Sequence, residues 1–167
     1  MKTPLTIKQV KNIVNHLSDY NITYGGSFAL KLCGYLNREI YDLDVIVNQQ
    51  TFNKLILLYG NDDVNEINNN NPPSINEVPD DIHKKDTIFI DGVRVCLFVT
   101  NNELFTWTKL YDNNTINVLN PYQIILYKDF YLRKNQYLNC ESNKKHIKDI
   151  ITVIDNLKNE LIQNILK

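Results

Sequence analysis

Asp91-Gly92 sits between two β-rich runs in "DTIFIDGVRVCLFV" (86–99). An Asp-Gly pair with apolar and β-branched flanks is a strong short-range signal for a β-hairpin. Strands joined by so short a turn are antiparallel. A purely parallel, doubly wound sheet is therefore excluded. Two short apolar strands lie upstream, "ITY" (22–24) and "LDVIV" (43–47), and a third, "TINVL" (115–119), lies downstream. Helical patterns separate them, so the expected sheet is mixed.

Leu5, Ile7, Val10, Ile13, Val14 and Leu17 recur mostly at helical spacing and predict a first helix over 5–19, ending near Asn21. Gly25-Gly26 turns the chain, and Ser27 is placed to cap a helix running to about Leu36. A further helix is predicted from Thr51 to Tyr59, stopped by Gly60. From Asn61 to Asp81 the composition changes to four consecutive asparagines, a Pro-Pro pair and scattered acids, which predicts a long loop. Asn120-Pro121 opens the next helix, with Asn as cap and Pro at the first helical position. The last helix carries an apolar stripe from Ile147 to Ile165. The fold class expected is α/β (α+β): a mixed β-sheet core over 1–120, including the loop at 61–82, with C-terminal helices over 121–167 packed on it.

A chain of 167 residues with 43% hydrophobic and 22% charged residues suits a globular domain with a core of its own. Its net charge of -1 gives no general attraction to nucleic acid. Locally, "YLRKNQY" (131–137) interleaves tyrosine with basic residues, which suits either RNA contact or a solvated helix end. Three cysteines, Cys33, Cys96 and Cys140, are widely spaced and form no CxxC, so neither a disulfide framework nor a zinc site is expected. A reducing, cytoplasmic setting is the default. The first residues, MKTPLTIKQV, lack the apolar core of a signal peptide, and no run reaches the roughly 18 apolar residues of a membrane span. The wealth of Asn, Ile, Lys and Tyr often accompanies an AT-rich coding genome, viral or bacterial.

Asp42 and Asp44 are two apart at the start of the "LDVIV" strand, so their side chains share a face. Two close carboxylates repel and raise each other's pKa unless a cation lies between them. Mg²⁺ takes oxygen ligands and is often shared between one or two carboxylates and substrate phosphates. Gly25-Gly26 allows a close backbone approach to a ligand, and the following helix start offers N–H groups to phosphate, with Ser27 adding a hydroxyl. Arg38 has two roles open to it, contact with phosphate or neutralisation of the aspartates. Alone, Asp-x-Asp is common by chance and Gly-Gly is mostly a turn. The ordered series of strand, glycine turn, helix and Asp-x-Asp strand is much rarer.

"GGSFAL…R…DLDVIV" resembles the nucleotidyltransferase superfamily of DNA polymerase β type, and within it the small minimal nucleotidyltransferases, including the AbiEii-like toxins of abortive-infection and toxin–antitoxin systems. The likeness spans about 22–130, with the motif itself in 25–47; Ile40 stands where the family often has Thr. The resemblance implies Mg²⁺-dependent transfer of a nucleoside monophosphate from an NTP to a hydroxyl on RNA (including tRNA), protein or a small molecule, in a toxin–antitoxin or phage–host setting. It puts the metal and catalysis on Asp42 and Asp44, and the triphosphate on Gly25, Gly26 and Ser27. It aligns Lys128 in "QIILYKDF" with the family's helical lysine, which meets the phosphates. Taken alone, Lys128 is equally a solvated lysine on an amphipathic helix. "KKHIKDI" (144–150) resembles the family's closing Lys-Asp helix.

One position departs from the pattern. The family's third carboxylate, its general base and second-metal ligand, falls on Cys96 here. A soft thiolate is a poor substitute toward Mg²⁺. Asp91 and Glu103 are out of register, and Asp86, on the partner strand, is the remaining acid placed to reach across. Three explanations stay open: transfer without this base, substitution by another carboxylate, or a pseudoenzyme acting as a binding or viral structural or regulatory protein. Cys96 is otherwise a small buried residue on a core strand.

Overall fold

The computed structural model describes residues 3–60, 82–100, 103–134 and 141–165. The expected Asn-rich loop, Cys140 and the 135–137 end of "YLRKNQY" lie outside the described residues. Five helices and six strands are present among those described: α1 (Ile7–His16), β1 (Ile22–Tyr24), α2 (Gly26–Leu32), β2 (Leu43–Val47), α3 (Gln49–Tyr59), β3 (Ile82–Ile90), β4 (Val93–Thr100), β5 (Thr106–Tyr111), β6 (Asn114–Leu119), α4 (Pro121–Lys134) and α5 (Glu141–Ile165). None of these helices is long and apolar enough to cross a membrane.

The strands form one mixed sheet in the order β3-β4-β2-β1-β6-β5. β1 and β2 are antiparallel, while β2 runs parallel to β4 and β1 parallel to β6. Hairpins supply the outer strands, β3 on β4 and β5 on β6. Both hairpin turns take positive φ at both central residues, Asp91 (49°) with Gly92 (73°) and Asp112 (47°) with Asn113 (66°). That backbone matches the right-handed twist of the strands it joins.

Alternation along the central strands separates a fully buried core face from a partly buried one. Leu43, Val45 and Val47 of β2 register with Val95, Leu97 and Val99 of β4, and all six are buried. Ile88 and Ile90 extend this face onto β3. Each such side chain contributes roughly 1.5–3 kcal/mol by leaving water. The residues between them, Asp44 and Cys96, register with each other on the opposite face.

α1 is shorter than the expected 5–19 and begins at Ile7 because Thr6 and Gln9 form a capping box: the Thr6 hydroxyl accepts from Gln9 N–H, and Gln9 Oε1 accepts from Thr6 N–H. α2 differs from the expectation at both ends. Gly25, not Ser27, is its N-cap, with no side-chain cap bond, and Ser27 lies inside the first turn. The helix stops at Leu32 rather than near Leu36, because Gly34 takes φ +81° and Tyr35 N–H turns back to Leu30 C=O at 3.0 Å. α4 starts at Pro121 with the Asn120 side chain accepting from Tyr122 N–H. It packs on both α2 and α5, which brings the first turns of α5 toward the start of α2.

Candidate active site

The glycine turn folds directly onto β2. Gly25 N–H donates to Asp44 C=O at 2.8 Å. Gly26 has φ +56°, and a Cβ there would lie 1.8 Å from Asp44 Oδ2. Position 26 therefore needs glycine twice over, for its left-handed backbone and for the space that the carboxylate fills. Asp42 and Asp44 are both half-buried beside this turn. Burial, and then the charge of Asp42, raise the Asp44 carboxyl above its ordinary value, while the ammonium groups of Lys128, Lys85 and Lys145 pull against that rise. So the pair is held among basic side chains from β3, α4 and α5.

Arg38 and Lys128 converge on a residue that the sequence reading did not single out. Asp149, on α5, is buried with 1% of its side chain exposed. It accepts from Arg38 Nε at 2.8 Å and Nη2 at 2.7 Å, a two-pronged contact. It also accepts from Lys128 Nζ at 2.9 Å. The same Arg38 Nη2 donates to Ser27 Oγ at 2.5 Å. Lys128 is buried, not solvated, and its ammonium donates to His146 Nδ1 at 3.2 Å. Burial and the neighbouring cations Lys128 and Lys145 press His146 down to about 3, so the ring is neutral at physiological pH and accepts that proton. Arg38 is thus engaged by a carboxylate on the last helix. Three residues of one α5 turn, Lys145, His146 and Asp149, complete the cluster; the signal for them was the lysine-rich "KKHIKDI" segment, where i, i+3 and i, i+4 spacing puts them on one face.

Cys96, to which the resemblance assigns the third carboxylate, is registered against Asp44 and buried. Its thiol is pushed up to about 12 by burial first and by Asp44 second, so it stays protonated. The candidate substitute, Asp86, does not reach this face. It registers with Leu97, one residue out of phase, while Thr87 is the residue opposite Cys96. Asp91 is in the β3–β4 turn beside His16, 3.5 Å away, and Glu103 is exposed between β4 and β5. Among the described residues no group of three His, Cys, Asp or Glu side chains is arranged to hold a metal.

The donor set that remains is two carboxylates. Their oxygen chemistry fits a hard divalent cation such as Mg²⁺, which would favour the charged form of a carboxyl raised by burial first and by Asp42 second.

No protein-family model matches the chain, and neither does any curated protein. Solved structures do. That of ANT(2")-Ia in complex with adenylyl-2"-tobramycin superposes with a TM-score of 0.59, over 94% of this chain and 92% of that one, at 11% sequence identity. That of the lincosamide antibiotic adenylyltransferase LnuA, bound to lincomycin, superposes with a TM-score of 0.53, over 90% of this chain and 99% of that one, at 14% identity. At such identities the likeness is one of fold. The mixed sheet, its hairpins and its helices make this a nucleotidyltransferase fold, the one the sequence motif implies.

Proposed function

We propose that the protein transfers a nucleoside monophosphate from an NTP to a hydroxyl acceptor. The observation behind this reading is the Gly25-Gly26 turn closed onto Asp44, beside Asp42 and the Arg38–Asp149–Lys128 cluster. In this reading Asp42 and Asp44 hold Mg²⁺, which when bound neutralises charge on the triphosphate. Gly25, Gly26 and Ser27 admit the triphosphate close to the backbone. Arg38 and Lys128, held by Asp149, present positive charge where the pyrophosphate leaves. The acceptor oxygen forms a bond to the α-phosphorus as the bond to pyrophosphate breaks. The Cys96 thiol does not take the hydroxyl proton, which passes to the carboxylate pair or to solvent. The solved neighbours are described with adenylyl-2"-tobramycin and with lincomycin, so small hydroxylated molecules are the first acceptors to try, ahead of RNA and protein.

The test is a thermal melt with Mg²⁺ and each NTP. A ligand at 100 times its Kd adds about 2.7 kcal/mol, several degrees for a domain of this size. The expected result is an Mg²⁺-dependent rise that Asp44→Asn abolishes, followed by transfer of label from an α-labelled NTP. No rise with any NTP would sink this reading.

A second reading is favoured by Cys96 alone: the fold binds a nucleotide or partner without turnover. The two part on Cys96→Asp. If transfer is slow for want of a base, that variant speeds it by about 10²-fold or more. If the protein is a binder, an NTP shifts the melt weakly or not at all, and Cys96→Asp changes nothing and yields no labelled product.

A further inference from the structure

α5 packs on the body by one face and carries an apolar stripe on another that is not used. Val153, Asn156, Leu157 and Glu160 face the body, where Glu160 accepts from the Tyr35 hydroxyl at 2.8 Å and Asn156 donates to Tyr35 C=O at 3.2 Å. About 120° round the helix runs the apolar stripe. Ile147 (48% exposed), Ile151 (55%), Ile154 (50%), Leu161 (62%) and Ile165 (73%) all face outward, with Lys158 completing the row. Their spacing alternates four and three, which is the a/d seam of a coiled coil with one lysine in it. A row of five branched aliphatic side chains on one exposed helix face marks an interaction surface.

The sequence of the seam says what fits it. Laid antiparallel on a copy of itself and centred at the level of Asn156, it matches throughout: Ile147 meets Ile165, Ile151 meets Leu161, and Ile154 meets Lys158. Such a surface is self-complementary about a two-fold axis, as an isologous dimer requires. The lone lysine fits only this direction. In a parallel pairing Lys158 faces its own copy, ammonium to ammonium. In the antiparallel one it lies across Ile154 with its stem on apolar surface and its charge beside the Asp155 carboxylate of the other chain. We infer that α5 is a homodimerisation helix, pairing antiparallel with α5 of a second copy through Ile147, Ile151, Ile154, Lys158, Leu161 and Ile165. This inference is independent of the transfer chemistry.

Sedimentation velocity across about 1 to about 300 µM, a range that brackets micromolar self-association, tests it on the whole chain. The mass should move from 19.6 kDa toward twice that value. Ile154→Glu and Leu161→Glu, both at exposed positions, should each weaken association by about 100-fold with an unchanged far-UV spectrum. Lys158→Leu should tighten it by about tenfold, since a polar residue in the seam costs stability. Orientation follows from cross-linking: a mixture of Ile151→Cys and Leu161→Cys chains should form a disulfide-linked dimer that neither variant forms alone. A monomer throughout, a dimer indifferent to both glutamates, or ready cross-linking of Ile151→Cys with itself would each overturn the inference.

Discussion

Replacing Asp149 by Asn tests the centre of the site without changing its shape. The carboxylate accepts three hydrogen bonds, two from Arg38 and one from Lys128, and is 1% exposed. An amide of equal size leaves the Lys128 ammonium, itself only 8% exposed, without the carboxylate it contacts. Removing one partner of a buried pair costs about 3–5 kcal/mol, because the other charge stays buried. Arg38 keeps some solvent and its bonds to Ser27 and to Glu39 C=O, so the lower end, about 3 kcal/mol, is expected here. For a domain of this length that is a fall of about 6–12 °C in Tm. Urea unfolding at neutral pH should show the loss with an unchanged m-value. Lys128→Met added to Asp149→Asn should return much of it, since the stranded charge is then gone. The acid limb gives an independent reading. Burial raises the Asp149 carboxyl, but the Arg38 hydrogen bonds and the Lys128 charge outweigh it and hold it below the ordinary value. Its contribution is thus present above the unfolded carboxylate pKa of about 3.9 and lost as pH falls through the lower folded value; Asp149→Asn should flatten that limb. A loss under about 1 kcal/mol, the range of a screened surface pair, would refute the reasoning.

Two glycine variants separate strain from collision. Gly92→Ala meets open space at φ +73° and should cost only about 1–2 kcal/mol of backbone strain, read by urea unfolding, whereas Gly26→Ala drives its methyl into the Asp44 carboxylate and should also lose any NTP-dependent melt shift. His146 is neutral when folded and charges at 6.5 when unfolded, so stability drains as pH drops below 6.5 toward about 3; His146→Gln should show a shallower decline across that window in pH-dependent unfolding. The Tyr24 hydroxyl is buried with no hydrogen-bond partner among the described residues, so Tyr24→Phe should be neutral or stabilise by about 1 kcal/mol, measured by Tm.

Most of the frame was legible because local chemistry and tertiary context agree there. Asp91-Gly92, Asn120-Pro121 and the alternation around Val45 each specify one backbone, and the fold uses it. β5 was missed for a physical reason. Its "TWTKLY" segment is an edge strand with an exposed outer face, and the Asp112-Asn113 turn adopts the hairpin conformation without glycine. The α2 cap was misplaced because a Gly-Gly-Ser sequence offers two candidates, and only the fit against Asp44 selects Gly25. At the site, Asp42, Asp44, the glycines, Ser27, Arg38 and Lys128 come together as residues, yet what joins them was invisible. The pairing of Arg38 with Asp149 spans 111 positions, and no local pattern encodes a contact at that distance. Cys96 shows the reverse: its register against Asp44 follows from the strand pattern alone.

That same contact orders events during synthesis. Chains leave the ribosome from the N-terminus and fold as they emerge. The glycine turn, both aspartates and Arg38 lie within the first 44 residues, whereas the carboxylate that holds Arg38 and Lys128 lies on the helix Glu141–Ile165. Until that helix docks, Arg38 has only its bonds to Ser27 and Glu39 C=O, and Lys128 lacks the carboxylate that seats it. The nascent protein therefore carries all six strands of the sheet but an unassembled cation cluster, and α5, made after the sheet, is the helix that completes it.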